Sequence, residues 1–389
     1  MKILVTSLPD LKKISPQRPH HLLKYLSQKH EVTVLCVNAW WLKERQDEYL
    51  RSSLKNVNIY YICENKLSPI LQEIFAIKSL KNLGNLDFDI HISLNSLLMS
   101  YTVAKKLKVP CLFDICDDII SWINSSPQIP TLLKSIGKVV GSFMLERNIK
   151  ITERITYSTE FLKSSYSLPE NKSVLIPNGV DTNLFYKRNE ETKAKERFNI
   201  SEDVLVLGFV GFLGEWVDLQ TVFETIKILQ DQVKIRLIVV GNGSKFARFK
   251  ELSKNCGVQE NVIFTGDVPY SEVPEYISYM DICLLPFDTS AVSQHALPLK
   301  LFEYMACEKP VISTPLAGVK EAVEDQVLYA SNADELKQRI LELYHNEELR
   351  KRLGKEGRRF VERNYSWNKI CRKFEKVLIE ASESKRRHI

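Results

Sequence analysis

Short apolar runs alternate with amphipathic segments along the chain of 389 residues. In the runs, valine, isoleucine and leucine follow one another with few polar interruptions, which is typical of parallel strands buried on both faces. Between the runs, apolar residues recur at the spacing of an amphipathic helix. The runs predict strands at residues 3–6, 32–37, 59–63, 90–94, 109–115 and 154–158, and again at 204–210, 235–240, 262–265, 282–285 and 311–313. This alternation predicts an α/β protein with parallel sheets.

The pattern is interrupted once, and there we place a domain boundary. Pro177-Asn178-Gly179 is a turn signal, because proline fixes one φ and glycine accepts a positive one. A charged segment at 187–197 follows, and the strand pattern restarts at residue 204. A chain of this length also exceeds the size at which one core keeps growing. The sequence therefore predicts two doubly wound domains that divide near Phe185.

Composition narrows the class of protein only slightly. Hydrophobic residues make up 44% and charged residues 26%, with a net charge of +6 spread along the chain. This favours anionic partners such as phosphates or a lipid surface and does not support nucleic-acid binding. Eight cysteines without repeated spacing, and no signal peptide ahead of Met1, predict reduced thiols in the cytoplasm. No stretch has the length of a membrane span, so we expect a soluble protein, or one peripheral to the membrane.

One predicted helix carries the strongest chemical signal. The segment A-L-P-L-K-L-F-E-Y-M-A-C-E-K-P, residues 296–310, predicts a helix that begins at Leu297 or Pro298. Lys300 and Glu303 lie one turn apart near its start. A helix N-terminus with a lysine suits a phosphate, and a carboxylate one turn further suits sugar hydroxyls. The alternative is an ordinary surface ion pair.

Polar residues at the carboxyl ends of two predicted strands are candidates for ligand contacts. Arg18, His20 and His21 follow the first strand, where open sheets bind ligands, although they also suit a solvated loop. Asp117 and Asp118 follow the strand at 109–115 and could meet a sugar or accept a proton. Capping of the next helix is the alternative, and it fits Asp118 better than Asp117.

Three glycines, one within the strand at 204–210 and two just after it, could let the backbone approach a ligand. Gly208, Gly211 and Gly214 form a G-x-x-G-x-x-G pattern. The spacing differs from the dinucleotide-binding fingerprint, and no clear acidic partner ends the next strand. Turn formation is an equally good interpretation of these glycines.

Two other patterns are not interpreted as functional sites. Asp87-Phe88-Asp89 resembles a metal-binding D-x-D, but it introduces a strand and has no further acidic or histidine ligands nearby. No cluster has zinc spacing either, so we expect no metal site. Residues 131–150 predict an amphipathic helix, whose apolar stripe is Leu132, Leu133, Ile136, Val140, Phe143 and Met144. We expect this stripe to pack in the core, and peripheral membrane binding stays open.

Seven motifs in this order resemble the retaining GT-B glycosyltransferases, the large family that includes sucrose synthases and bacterial mannosyltransferases. They are I-P-N-G-V-D-T-N-L-F at 176–185, F-V-G-F-L at 209–213, V-V-G-N-G at 239–243, V-I-F-T-G-D-V-P at 262–269, D-I-C-L-L-P-F at 281–287, L-F-E-Y-M-A-C-E-K-P-V-I-S-T at 301–314 and Y-S-W at 365–367. The resemblance is dense from residue 174 to 367 and thinner before. It is strongest to cell-surface polysaccharide members.

The resemblance implies two Rossmann-like domains with a cleft between them. Residues 1–186 would bind the acceptor, residues 187–365 the nucleotide sugar, and a helix at 366–389 would pack back on the first domain. The partners would be a nucleotide-diphosphate sugar and a glycan or glycolipid acceptor, with no cofactor.

The resemblance also implies a set of donor-binding residues. By position, Glu303 holds the ribose. Backbone groups at Thr265, Gly266 and Val268 meet the base, and N–H groups around Pro298, those of Leu297 and Leu299, meet the pyrophosphate. Gly211, Phe212 and Pro286, in the matched motifs, complete the predicted set.

Three departures from the family pattern shape the expected mechanism. His295 stands where the first glutamate of E-x7-E would touch the sugar, Cys116 replaces a histidine, and the loop at 214–218 lacks the usual arginine and lysine. Because a leaving diphosphate needs its charge stabilised, we expect Lys300 to act there and Arg18 to assist.

We therefore expect metal-independent, front-face transfer with retention, in which the departing phosphate accepts the acceptor's proton and Asp117 orients the acceptor hydroxyl. His295 is the remaining catalytic candidate. The alternatives are a degenerate GT-B protein that binds a nucleotide sugar or a partner without turnover, and a nucleotide-sugar epimerase of the same fold.

Overall fold

The computed structural model describes residues 1–84, 86–125, 131–188 and 197–384. The chain divides into two compact units: unit 1 comprises Met1–Asn178 and Trp367–Ile389, and unit 2 comprises Gly179–Ser366. Each unit has one sheet in a doubly wound order, so the predicted fold class is confirmed. The division falls at the Pro-Asn-Gly turn itself, earlier than the predicted limit at residue 186.

Unit 1 is built on a seven-stranded parallel sheet. Its strands are β1 (Lys2–Ser7), β2 (Glu31–Cys36), β3 (Val57–Tyr61), β4 (Ile90–Leu94), β5 (Cys111–Ile115), β6 (Arg154–Tyr157) and β7 (Ser173–Leu175). They lie in the order β3-β2-β1-β4-β5-β6-β7. Its helices are α1 (Arg18–Leu26), α2 (Glu48–Leu54), α3 (Pro69–Ile74), α4 (Ala76–Leu80), α5 (Leu98–Leu107), α6 (Ile119–Ser125), α7 (Thr131–Ile151), α8 (Glu160–Ser165) and, at the end of the chain, α17 (Trp367–Ser384).

Unit 2 is built on a six-stranded parallel sheet. Its strands are β8 (Leu205–Val210), β9 (Ile235–Val240), β10 (Val262–Gly266), β11 (Ile282–Leu285), β12 (Val311–Ser313) and β13 (Leu328–Tyr329). They lie in the order β10-β9-β8-β11-β12-β13. Its helices are α9 (Leu219–Leu229), α10 (Phe246–Asn255), α11 (Val273–Ser278), α12 (Ala291–His295), α13 (Leu299–Ala306), α14 (Ala317–Val323), α15 (Ala333–His345) and α16 (Glu347–Asn364).

The strand order reverses once in each sheet, between β1 and β4 in unit 1 and between β8 and β11 in unit 2. Connections on either side of such a reversal run to opposite faces, which leaves a crevice at the carboxyl ends of the two strands. In unit 2, the loop after β8 and the segment that leads from β11 into α13 therefore border the crevice. In unit 1, the loops after β1 and β4 do so.

β8 and β11 separate toward their carboxyl ends. Their pairing covers only Leu207 with Ile282 and Gly208 with Cys283. Two residues further, the N–H of Val210 donates instead to the hydroxyl of Tyr304 on α13, at 2.7 Å. A buried N–H must find an acceptor, so the tyrosine replaces a neighbouring strand there. The sheet of unit 2 thus opens beside α13.

The prediction that the apolar stripe of α7 packs in the core is wrong for most of its residues. The inner face of this helix is formed by Gly141, Met144, Leu145 and Asn148, all buried. A Cβ on Gly141 would lie 3.0 Å from side-chain atoms of Ile120 and Ile123, so glycine allows α7 to pack closely against α6. Leu132, Ile136, Val140 and Phe143 of the predicted stripe lie on the other side and are exposed, whereas Met144 is buried as predicted. The side chain of Leu133 lies outside the described part of the chain. None of the helices in the described ranges combines the length and apolarity that a membrane-spanning segment needs.

Candidate functional site

α13 presents Lys300 at the crevice of unit 2. Pro298 is the N-cap rather than the first helical residue, so the helix begins slightly later than predicted. The Lys300 ammonium lies 4.3 Å from the ring centroid of Phe209 and 5.3 Å from that of Phe287. These residues end β8 and follow β11. Within the described ranges, the ammonium has ring faces as neighbours but no hydrogen bond or ion pair.

Gly211 makes room for Lys300. It has φ of +135°, and a Cβ built on it would lie 2.2 Å from Lys300 Nζ. Any larger residue would therefore have to displace the ammonium. The sequence suggested that glycine here brings the backbone close to a ligand, and the structure shows that it brings the backbone close to a lysine.

Glu303 lies one turn further along α13 and is buried, with 5% of its surface exposed. The hydroxyl of Tyr270 donates to its Oε1 at 2.6 Å. Burial raises the pKa of Glu303 to about 7, and the Tyr270 hydrogen bond and the nearby Lys300 oppose that rise. Burial likewise lowers the pKa of Lys300 to about 7, against the attraction of Glu303. Both groups can change charge near neutral pH, which is typical of functional sites.

Three loops at the carboxyl ends of β8, β9 and β10 are joined by backbone hydrogen bonds. The N–H of Gly211 donates to Val240, at 2.8 Å, and the N–H of Gly241 donates to Gly266, at 2.9 Å. The N–H of Leu213 also donates to the carbonyl of Asn242. These bonds hold the loops as one rim along the crevice, without relying on side chains.

The remaining predicted donor residues fall in different parts of unit 2. Thr265, Gly266 and Val268 are half-buried on the rim at the end of β10. Phe212 is exposed and stacks on Trp216, with ring centroids 5.9 Å apart. These four residues border open surface and can be reached by a ligand.

The residues between β11 and α13 are less accessible. Leu297 and Pro286 are buried and Leu299 is half-buried. Pro286 also lines a separate cavity of about 270 Å³, with Asp218 and Thr314 among its walls. His295 is buried at the end of α12.

In unit 1, two strand ends bring Asn95 and Asp117 together. Asn95 follows β4 with φ of +51°, a conformation that asparagine tolerates. Its Nδ2 donates to Oδ2 of Asp117 at 2.7 Å, and its Oδ1 accepts from the N–H of Cys116 at 3.3 Å. Asp117 is exposed and its orientation is fixed by this amide, which suits a carboxylate that positions a hydroxyl.

Arg18 and His20, predicted on the acceptor or phosphate side, serve the packing of unit 1. Arg18 is 2% exposed and donates from Nε and Nη2 to the two oxygens of Asp114, at 2.9 and 2.7 Å. Its Nη1 donates to the carbonyl of Pro177. His20 is buried, its Nδ1 accepts from the N–H of Gln17, and its Nε2 donates to the carbonyl of Leu11. Burial lowers its pKa to about 4, so it is neutral at physiological pH.

Asp118 is also a structural residue. Its Oδ1 accepts from the N–H of Ser121 at 2.8 Å and from the hydroxyl of Tyr166 at 2.6 Å. It therefore caps α6, which is the alternative considered from the sequence. We do not carry Arg18, His20 or Asp118 into the proposed site, because their polar atoms are committed to the protein.

Sequence reasoning missed three residues that organise these sites: Tyr270, Tyr304 and Asn95. Each acts through a hydrogen bond to a residue far away in sequence, and no local pattern signals such a bond. The only available cue for Tyr270 was its place directly after the V-I-F-T-G-D-V-P motif. In the described ranges, His, Cys, Asp and Glu side chains form no group of three or more that could hold a metal ion.

Comparison with known proteins gives consistent matches. Residues 190–360 match the family described as Glycosyl transferases group 1. The Methanocaldococcus jannaschii glycosyltransferase MJ1069 is 28% identical over 91% of this chain and 91% of its own length. The N-acetyl-alpha-D-glucosaminyl L-malate synthase of Bacillus anthracis is 23% identical over 66% of this chain and 64% of its own. Anabaena HepE, in complex with UDP-glucose, superposes with a TM-score of 0.76 at 14% identity, covering 98% of this chain and 100% of HepE.

Two doubly wound units of this strand order have the fold of the GT-B glycosyltransferases, in agreement with the superposition on HepE. Residues 190–360 match the glycosyl transferases group 1 family, and the chain is similar over most of its length to an archaeal glycosyltransferase. The resemblance seen in the sequence motifs is confirmed.

Proposed function

We propose that the chain transfers a hexosyl group from a nucleotide-diphosphate sugar to a glycan or glycolipid acceptor, with retention and without a metal ion. The observation that carries this proposal is the position of Lys300, whose ammonium lies beside Gly211 at the opening between β8 and β11. HepE, a protein of the same fold, binds UDP-glucose, which supports a nucleotide-sugar donor for this chain.

The leaving group determines what Lys300 must do. When the bond between the anomeric carbon and the β-phosphate oxygen breaks, negative charge grows on the diphosphate. Lys300 and the first N–H groups of α13 stabilise that charge. They take the place of the cations that are missing from the loop at 214–218. A bound phosphate also raises the pKa of Lys300 from about 7, so the lysine becomes charged as donor binds.

Glu303 and Asp117 serve the two substrates. The free oxygen of the Glu303 carboxylate accepts from ribose hydroxyls, while Tyr270 holds the other oxygen. Asp117, held by Asn95, orients the acceptor hydroxyl. That hydroxyl oxygen bonds to the anomeric carbon on the face from which the phosphate leaves, and its proton passes to the departing phosphate oxygen. The configuration is thereby retained.

The test measures release of nucleoside diphosphate from a panel of UDP- and GDP-sugars, with and without EDTA, alone and with glycan or lipid-linked acceptors. We expect slow hydrolysis without acceptor, faster release with the correct one, no effect of EDTA, and a product with the donor's anomeric configuration by NMR. Lys300→Ala should lower turnover by about a hundredfold or more. The surface substitution Lys351→Ala is the matched control.

Asp117→Asn tests the acceptor side separately. It should lower turnover with acceptor while the affinity for the donor stays unchanged. If the protein binds nucleotide sugars but releases nothing with any acceptor, it is a binding protein without turnover. Conversion of the donor to another sugar without acceptor would identify an epimerase.

A further inference from the structure

Unit 1 carries most of the exposed large apolar side chains in the described part of the chain. In unit 2, these are limited to Tyr186, Phe212 and Ile228. In unit 1, they concentrate on α7 and on the segments around α3 and α4. Contiguous exposed apolar surface on one side of a protein marks an interaction site.

α7 shows the pattern most clearly. Its exposed apolar residues are Leu132, Ile136, Val139, Val140 and Phe143, which we call the α7 apolar face. Leu132 is 90% exposed and Val139 is 72% exposed. With 3.6 residues per turn, the five fall within one arc of about 100°, opposite the inner face that packs on α6. The helix is thus apolar on both sides, and among the described residues one side is left exposed.

Basic residues accompany the α7 apolar face. Arg147 and Lys150 lie on the same side of α7 as this face, whereas Lys134 and Lys138 lie on the opposite side, and the helix has a single acidic residue, Glu146. Arg147 and Lys150 continue the line of the apolar face toward the C-terminus of the helix, and the Arg147 guanidinium lies 4.9 Å from the Phe143 ring. An apolar stripe with basic residues beside it is complementary to an anionic lipid surface.

A second group of exposed residues lies on the same helical layer. α5 packs against both α4 and α7. Leu71 and Ile74 on α3, with Phe75 next to them, are exposed. Trp40, also exposed, donates from its indole N–H to the carbonyl of Leu67, just before α3. An amphipathic tryptophan beside exposed aliphatic residues is typical of the boundary between lipid and water.

We propose that this layer, with the α7 apolar face at its centre, binds the surface of a membrane that contains anionic lipid. The apolar side chains enter the region between headgroups and acyl chains, and the basic residues contact lipid phosphates. Binding requires neither donor nor acceptor, so it can be tested independently of the proposed transfer.

The test is flotation of the full chain with vesicles of phosphatidylcholine alone or with about a third anionic lipid. We expect binding to the anionic vesicles that weakens with salt. The variant Leu132→Gln/Ile136→Gln/Phe143→Gln should reduce binding at least about tenfold. Arg147→Gln/Lys150→Gln should reduce it on anionic vesicles only. Circular dichroism and thermal unfolding check that the variants fold.

The matched control, Tyr60→Gln/Ile228→Gln/Ile379→Gln, removes three exposed apolar residues elsewhere and should bind as the unmodified chain does. Three results would overturn the proposal. The unmodified chain could fail to bind anionic vesicles, or the α7 variant could bind equally well. Alternatively, light scattering without vesicles could show a dimer that the α7 variant loses, which would assign the face to a second copy of the chain.

Discussion

The hydroxyl of Tyr270 donates to Glu303 at 2.6 Å and so orders the carboxylate that we assign to the donor ribose. Tyr270 itself packs edge-to-face on Phe185, with ring centroids 5.3 Å apart. The carboxylate is therefore aimed by a tyrosine that is held in turn by the segment leading into unit 2.

Tyr270→Phe should weaken both donor binding and the fold. Removing the tyrosine hydroxyl leaves the buried carboxylate of Glu303 short of one hydrogen bond, which costs about 1–3 kcal/mol in unfolding free energy. Nucleotide-sugar affinity, measured by calorimetry, should fall about tenfold. Tyr329→Phe, which removes a hydroxyl bonded to the carbonyl of Glu324 outside the site, is the control. Unchanged affinity in Tyr270→Phe would remove this tyrosine from the site.

Glu303 should make stability depend on pH below neutrality. The pKa of Glu303 is about 7 in the folded chain, whereas the ordinary value, which applies to the unfolded chain, is 4.5. Between these two values the folded state therefore binds more protons than the unfolded state. Stability from Glu303 is therefore full below about pH 4.5 and is lost as pH rises through 7, by up to about 3 kcal/mol. Denaturant unfolding at intervals across this range measures it. Glu303→Gln should remove this part of the slope, and a slope that survives the substitution would assign it to other groups.

Gly211→Ala should displace Lys300, because a Cβ would lie 2.2 Å from its Nζ. Gly257→Ala is a matched control: Gly257 also has a positive φ, +75°, but no atom lies within 4 Å of its Cβ position. Both variants should lose about 1–3 kcal/mol of stability from backbone strain. Only Gly211→Ala should also lose turnover, as Lys300→Ala does. Equal turnover in the two variants would show that the lysine tolerates movement.

Arg18→Met should destabilise unit 1 rather than weaken donor binding. It leaves the Asp114 carboxylate buried without its guanidinium, which costs about 3–5 kcal/mol in unfolding free energy. Arg18→Met/Asp114→Leu should recover part of this loss, as judged by denaturant unfolding. If Arg18→Met instead kept its stability and lost affinity for nucleotide sugars, the phosphate role predicted from the sequence would be restored.

Most of the strands could be predicted because nearly all of their residues are apolar. β4, β9, β11 and β12 have the bounds that the apolar pattern predicts. α16 could not be found in this way, because its buried positions include Gly354 and Gly357. A Cβ on Gly354 would lie 2.0 Å from the carbonyl oxygen of Glu308, so this helix packs through glycine rather than through an apolar stripe.

The site was predictable to the extent that it lies on one helix. Lys300 and Glu303 share a face of α13 because of helical periodicity, which the sequence shows. The burial of Arg18 could not be foreseen, because its partner, Asp114, is 96 residues away and the sequence does not show whether an arginine faces solvent or forms a buried ion pair. The same limit applies to α7, whose apolar residues were expected in the core.

The hydrogen bond between Val210 and Tyr304 makes the Val210 amide a probe of local motion at the crevice of unit 2. Most amides of a central strand exchange with solvent only when the whole sheet opens, since other strands hold them. The Val210 amide is held by a side-chain hydroxyl, so rotation of one tyrosine exposes it. Its hydrogen–deuterium exchange rate, followed by NMR, would therefore record local motion of the Tyr304 side chain on α13 while the rest of the sheet stays protected.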